Sequence, residues 1–236
     1  MMAVLYWSTQ FGDYYGENDA DTDICDCWSK GYTGSGVKIG VIDFGGVEFS
    51  HPDLINQNIP KVYNAVTSFY ETSDFAINPN YDHTMQVIGV INAQQNNANP
   101  SSSGADLKIA IESAYNATVI PYINESIGKN NPSQSSIANV TQSLQAAFIE
   151  GVDIINMSFY VDMLVGSIET QVNNAVSNGR PYMSDNQGIV YVSSVGNTDI
   201  PESYFPANMD NVIGVGWTNP EDYRSSYTSP APSGRG

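Results

Sequence analysis

Three residues of different chemistry stand at the ends of apolar runs. Asp43 closes Val37-Lys-Ile-Gly-Val-Ile-Asp43, His83 opens an apolar-periodic stretch, and Asn197 follows Ile189-Val-Tyr-Val-Ser-Ser-Val195 and Gly196. A carboxylate can accept a hydrogen bond from one imidazole nitrogen and so fix the tautomer. The second nitrogen is then available to take a proton from a nucleophile. A side-chain amide can donate to the oxyanion that develops. Together the three suit acyl transfer. Asn156, Met157, Ser158 and Phe159 end another apolar run. Backbone groups at such a strand end can hold an extended peptide as an added strand. A serine in a nucleophile's setting is missing, since Ser225, Ser226, Ser229 and Ser233 lie in a polar tail.

These groups act together only if the elements deliver them to one place. Lys38 to Asp43 is short, β-branched and mostly apolar, as a buried parallel strand is. A helix is predicted from His83 to about Gln95, with Val87, Ile88 and Ile91 on one face. Thr118–Ile123 reads as a strand whose Pro121 marks an edge or a kink. The next helix has Ser135 or Ser136 as its cap and Ile137, Val140, Leu144, Ala147 and Phe148 as its stripe. Gly151 sits at its C-terminal stop. Asp153–Phe159 follows as a strand, then a helix near Ser167–Asn178, then strands at 189–195 and Val212–Gly216. This alternation predicts an α/β fold: a mostly parallel β-sheet with helices on both faces. Ligands of such sheets bind beyond the carboxyl ends of the strands. Asp43, Asn156–Ser158 and Asn197 all fall there, and the helix of His83 enters from the same edge. Residues 1–30 are polar and acidic and read as an extended lead-in, and residues 31–236 as one domain.

Eight basic residues against 25 acidic ones give a formal charge of −17. That balance excludes a nucleic-acid binder and disfavours anionic membrane. No run approaches the length of a membrane span. The start has no basic region and too short an apolar core for a signal peptide. Cys25 and Cys27 are too close in sequence for an unstrained disulfide, and two thiols alone do not complete a zinc site. Gly34-Ser-Gly36 precedes a strand instead of following it, so no dinucleotide-binding loop is present. Asn116, Asn124 and Asn139 each open a glycosylation sequon.

The motifs as a set resemble the subtilisin-like serine proteases. Gly31-Tyr-Thr-Gly-Ser-Gly-Val-Lys-Ile-Gly-Val-Ile-Asp43 with Ser50-His-Pro-Asp-Leu54 is similar to the family's aspartate region. Asp153-Ile-Ile-Asn-Met-Ser158 is similar to its substrate-binding strand, and Val195-Gly-Asn197 to its oxyanion segment. Phe205-Pro-Ala207 and Val212-Ile-Gly-Val-Gly216 match the family segment C-terminal to that asparagine. The resemblance spans residues 20–230 in family order. It implies a subtilisin-like fold, incomplete at the C-terminus, in which residues 31–236 are part of the catalytic domain. It also implies that Asp43 orients His83, that His83 is general base and acid, and that Asn197 stabilises the oxyanion. The substrate is then a peptide or protein, and the full-length enzyme is exported to the extracellular space. No cofactor is required for the chemistry. Asp53 and Asn96 fall at positions similar to structural calcium ligands in some members.

The sequence also departs from the family pattern. Thr84 replaces a glycine beside the imidazole, where a β-branched side chain is expected to crowd the ring. Asp43-Phe44-Gly45 replaces D-T-G or D-S-G, and Ser158-Phe-Tyr-Val161 replaces S-L-G-G. The nucleophile string G-T-S-M-A is absent from the 236 residues. The expectation is therefore a portion of a serine endopeptidase whose serine lies outside this chain, with the portion alone inactive. The alternative is a non-catalytic domain of the same fold that binds peptides or proteins.

Overall fold

The computed structural model describes residues 24–76, 82–93, 113–124, 134–161, 164–178, 188–197, 204–218, 223–224 and 228. The strands are β1 (Lys38–Phe44), β2 (Gly46–Val47), β3 (Val62–Asn64), β4 (Phe69–Glu71), β5 (Phe75–Ala76), β6 (Thr118–Asn124), β7 (Ile154–Met157), β8 (Val190–Ser194) and β9 (Val212–Val215). The helices are α1 (Ile24–Ser29), α2 (Asp82–Asn92), α3 (Gln134–Glu150) and α4 (Gly166–Asn178). Among the described residues, seven strands form one sheet in the order β4-β3-β6-β1-β7-β8-β9. Only β3 and β4 pair antiparallel in it.

Side chains alternate between faces along a strand. Ile39 and Val41 of β1, with Val119 and Ile123 of β6, pack with Ile88 of α2. Ile42, Ile120, Tyr122, Ile155 and Met157 face the other way, against Val140 and Leu144 of α3 and Ile168 and Val172 of α4. Helices therefore cover both faces, as the alternating pattern predicts. The same alternation puts Asp43 on the side of Ile39 and Val41, which is the side that α2 covers.

The structure differs from the sequence expectations at several points. Pro121 is not at an edge, because β6 lies inside the sheet between β3 and β1. Thr118 N–H bonds to Val37 O, on the β1 side, and Val119 N–H to Asn58 O, on the β3 side. Continuing the alternation points the missing N–H of Pro121 toward β3. Pairing with β3 starts only at Tyr63–Tyr122, so no ladder bond is lost. α3 begins at Gln134, ahead of both Ser135 and Ser136, and Ser136 is buried. The predicted stop at Gly151 holds. Its φ is 70°, its N–H bonds to Phe148 O, and Val152 N–H reaches back to Ala147 O. That is a Schellman turn with Val152 and Ala147 both buried. The helix of His83 ends at Asn92 and not near Gln95. Asn92 is buried and donates to the carbonyls of Ala114 and Ala117. The lead-in is not wholly extended. Its described end forms α1, anchored by Trp28 Nε1 to Ser113 O at 3.4 Å and by Trp28 edge-on to Tyr115.

Candidate active site

The register Ile42–Met157–Ser193–Gly214 runs straight across β1, β7, β8 and β9. One step further along each strand lie Asp43, Ser158, Ser194 and Val215, at the carboxyl edge. Asp43 is completely buried. A bare carboxylate there would be costly, so its partners decide whether it is tolerable. Phe44 N–H donates to Asp43 Oδ1 at 2.7 Å, and His83 Nδ1 lies 2.8 Å from Oδ1 and 3.0 Å from Oδ2. An ionised carboxylate only accepts, so Nδ1 carries the proton and Nε2 presents its lone pair. The hydrogen bond that His83 Nδ1 donates to Asp43 raises the His83 pKa above its ordinary 6.5. Partial burial opposes this and the charge of Asp43 adds to it.

His83, Asn156, Ser158, Ser194, Gly196, Asn197 and Trp217 line one open cleft of about 290 Å³. His83 and Asn197 therefore border the same space, with Asp43 bonded to the imidazole. Gly196 has φ 108°, which the turn requires and which a side chain would strain. Asn197 beyond it is exposed.

The predicted substrate strand divides by alternation. Asn156 and Ser158 line the cleft, and Asn156 Nδ2 donates to Ser158 Oγ at 2.8 Å. Met157 and Phe159 point the other way into the core, so their side chains are not at the cleft. Phe159 packs edge-on against Phe44, with ring centroids 5.3 Å apart. Beyond Ser158, Tyr160 stacks on Tyr204 at 4.5 Å and 27°. Val161 N–H bonds to Phe205 O, and Tyr204 N–H to Val195 O. The segment at Tyr204 thus bridges the chain leaving β7 to the chain leaving β8.

Thr84 follows His83 in the chain. It is fully buried, and its hydroxyl donates to Phe44 O at 3.0 Å. Asp53 Oδ2 lies 3.8 Å from His51 Nδ1. Asn96 lies outside the described residues. Among the described residues, no three His, Cys, Asp or Glu side chains are grouped to hold a metal ion. Cys27 is an exposed free thiol. Of the three sequon asparagines, Asn124 and Asn139 are buried and Asn116 is exposed. Among the described residues, no helix is long and apolar enough to cross a membrane.

Sequence reasoning missed Ser194, Trp217 and Gln86 as cleft residues. Ser194 had a legible signal, because a strand whose neighbours end at the same row brings its own last residue to that row. Trp217 had only its place just after a strand.

A mostly parallel sheet whose carboxyl edge carries a buried carboxylate bonded to an imidazole, with an asparagine bordering the same cleft, defines a class of α/β proteins. Within that class the chain belongs to the subtilase family, whose model matches residues 34–235. It is 27% identical over 218 residues to the thermophilic serine proteinase of Bacillus sp. (strain AK1), covering 92% of this chain and 47% of that protein. It is 30% identical over 205 residues to the subtilisin of Bacillus pumilus, covering 85% of this chain and 63% of that protein. The solved structure of the prenylagaramide maturation protease PagA shares the fold, with a TM-score of 0.60 at 14% identity, over 88% of this chain and 63% of that one. The chain thus spans about half to under two thirds of the length of these relatives.

Proposed function

We propose that the full-length protein is a subtilisin-like serine endopeptidase acting on peptides or proteins outside the cell. Asp43 orients His83 and stabilises its protonated form. His83 Nε2 takes the proton of a serine hydroxyl as that oxygen attacks the scissile carbonyl, then returns it to the leaving amine. Asn197 donates to the oxyanion. The backbone after β7 aligns the substrate next to Ser158. In this reading the serine is carried outside these 236 residues. Two observations support that: the chain covers 47% and 63% of the two relatives, and Val190, Ile213 and Val215 leave large apolar side chains exposed on β8 and β9. The mechanism needs no cofactor, and no step is routed through calcium.

One observation carries the proposal: the Nδ1 of a half-exposed histidine bonded to a fully buried aspartate, facing the cleft that Asn197 also lines. The test is casein hydrolysis and labelling by an active-site phosphonate, with full-length protein and with the 236-residue chain. The full-length protein cleaves and is labelled, the His83→Ala form is not, and the shorter chain is silent. A full-length protein that binds peptides, cleaves none and takes no label would establish the non-catalytic alternative instead.

A further inference from the structure

Two hydrogen bonds join the end of β1 to the start of α2. One is the Asp43–His83 contact. The other runs between the very next residues, from Thr84 Oγ1 to Phe44 O at 3.0 Å, and Thr84 is fully buried. Phe44 N–H closes the circuit onto Asp43 Oδ1 at 2.7 Å. Strand end and helix start are thus fastened twice, at adjacent positions, with Phe44 shared by both fastenings. The His83 side chain is 56% exposed, so its surroundings confine the ring only in part. The ring's place then depends on that of its own backbone relative to β1.

We propose that Thr84 is a positioning residue for His83: its buried hydroxyl clasps the first turn of α2 to the Phe44 carbonyl and thereby keeps Nδ1 within bonding reach of Asp43. A glycine at this position lacks the hydroxyl and leaves the backbone freer. Valine keeps the shape of threonine but leaves the Phe44 carbonyl without that donor, a loss the buried site does not absorb cheaply. Serine keeps the donor.

The chain has two histidines, so each is readily followed by NMR titration. Asp43 faces His83 from β1. The cleft residues of β7, β8 and β9 and those of α2 itself (Asn156, Ser158, Ser194, Asn197, Trp217 and Gln86) carry no ionisable side chain. Asp82 precedes His83 in the chain and is unchanged in every variant. Thr84→Val should lower the His83 midpoint by about half a unit or more, since a looser bond to the aspartate favours the charged ring less. His51 should stay in place, and Thr84→Ser should return the His83 midpoint to that of the parent. A folded Thr84→Val protein with an unshifted His83 overturns the clasp. If Thr84→Val does not fold, Thr84→Ala, which cannot overpack, decides the matter by the same readout.

The second arm rests on the protease reading. Full-length Thr84→Val should lose about tenfold in kcat with KM little changed, as a slight misplacement of the base does. A His83 midpoint lowered by Thr84→Val, with a full-length parent that cleaves nothing, supports the clasp and removes the protease. An active enzyme with unshifted His83 and undiminished kcat removes the clasp and leaves the protease.

Discussion

At the scale of single residues, the site is a buried charge made useful by its neighbours. Asp43 has one backbone donor and one imidazole, and removing its charge should affect the ring first. Asp43→Asn should bring the His83 midpoint down toward its ordinary value and lower kcat of the full-length enzyme by about 10⁴, chiefly by allowing the wrong tautomer. NMR titration and steady-state rates check the two effects separately. Asn197→Ala should cost about 10²–10³ in kcat, the range for a single oxyanion donor, with KM nearly constant. A large rise in KM instead would make Asn197 a binding group. The pH effect has a definite sign. The folded state raises the His83 pKa, so this group stabilises the fold fully below the ordinary value of 6.5 and loses that contribution as pH rises through the folded value. Activity runs the opposite way, because the base must be neutral. Proteolysis should climb over the same pH interval in which the histidine's share of stability disappears. A rate that falls across that interval would exclude His83 as the base.

Elements were more legible than their ends. Apolar periodicity revealed β1, α2, α3, β7, α4, β8 and β9, because burial on known faces selects the residue types. It offered an edge or a kink for Pro121, and the edge is wrong, since which side of a strand lacks an N–H is a property of the neighbours and not of the proline. It placed Asp43 and His83 on one rim but could not see Thr84 as a tether, because a buried hydroxyl and a crowding methyl look alike in sequence. Gly151 was readable because its positive φ is a local demand. Gly151→Ala should lower stability by about 1–2 kcal/mol in denaturant titration, and no change would mean the turn relaxes. Tyr160 and Tyr204 form an element-level feature of another kind. Their stacked rings lie where the chain leaving β7 meets the chain leaving β8, beside the Asn197 turn.

For the whole molecule, charge and strand order matter most. A net −17 on 236 residues implies self-repulsion that salt relieves. Raising sodium chloride from about 0.05 to about 0.5 M should raise the melting temperature by a few degrees, measured by circular dichroism. A fall would mean that specific ion pairs such as Lys61–Glu150, 2.7 Å apart, outweigh the general repulsion. The order β4-β3-β6-β1-β7-β8-β9 has a further consequence, for the way this chain is born. β1 ends at Phe44, while its two flanking partners begin at Thr118 and Ile154. On the ribosome, then, the central strand emerges before both of its partners and waits with both sides bare until they are translated, a long interval for an apolar segment. The piece of backbone that ends in the aspartate is made well before either of the strands that shelter it, and it is there that a holdase chaperone has most to protect.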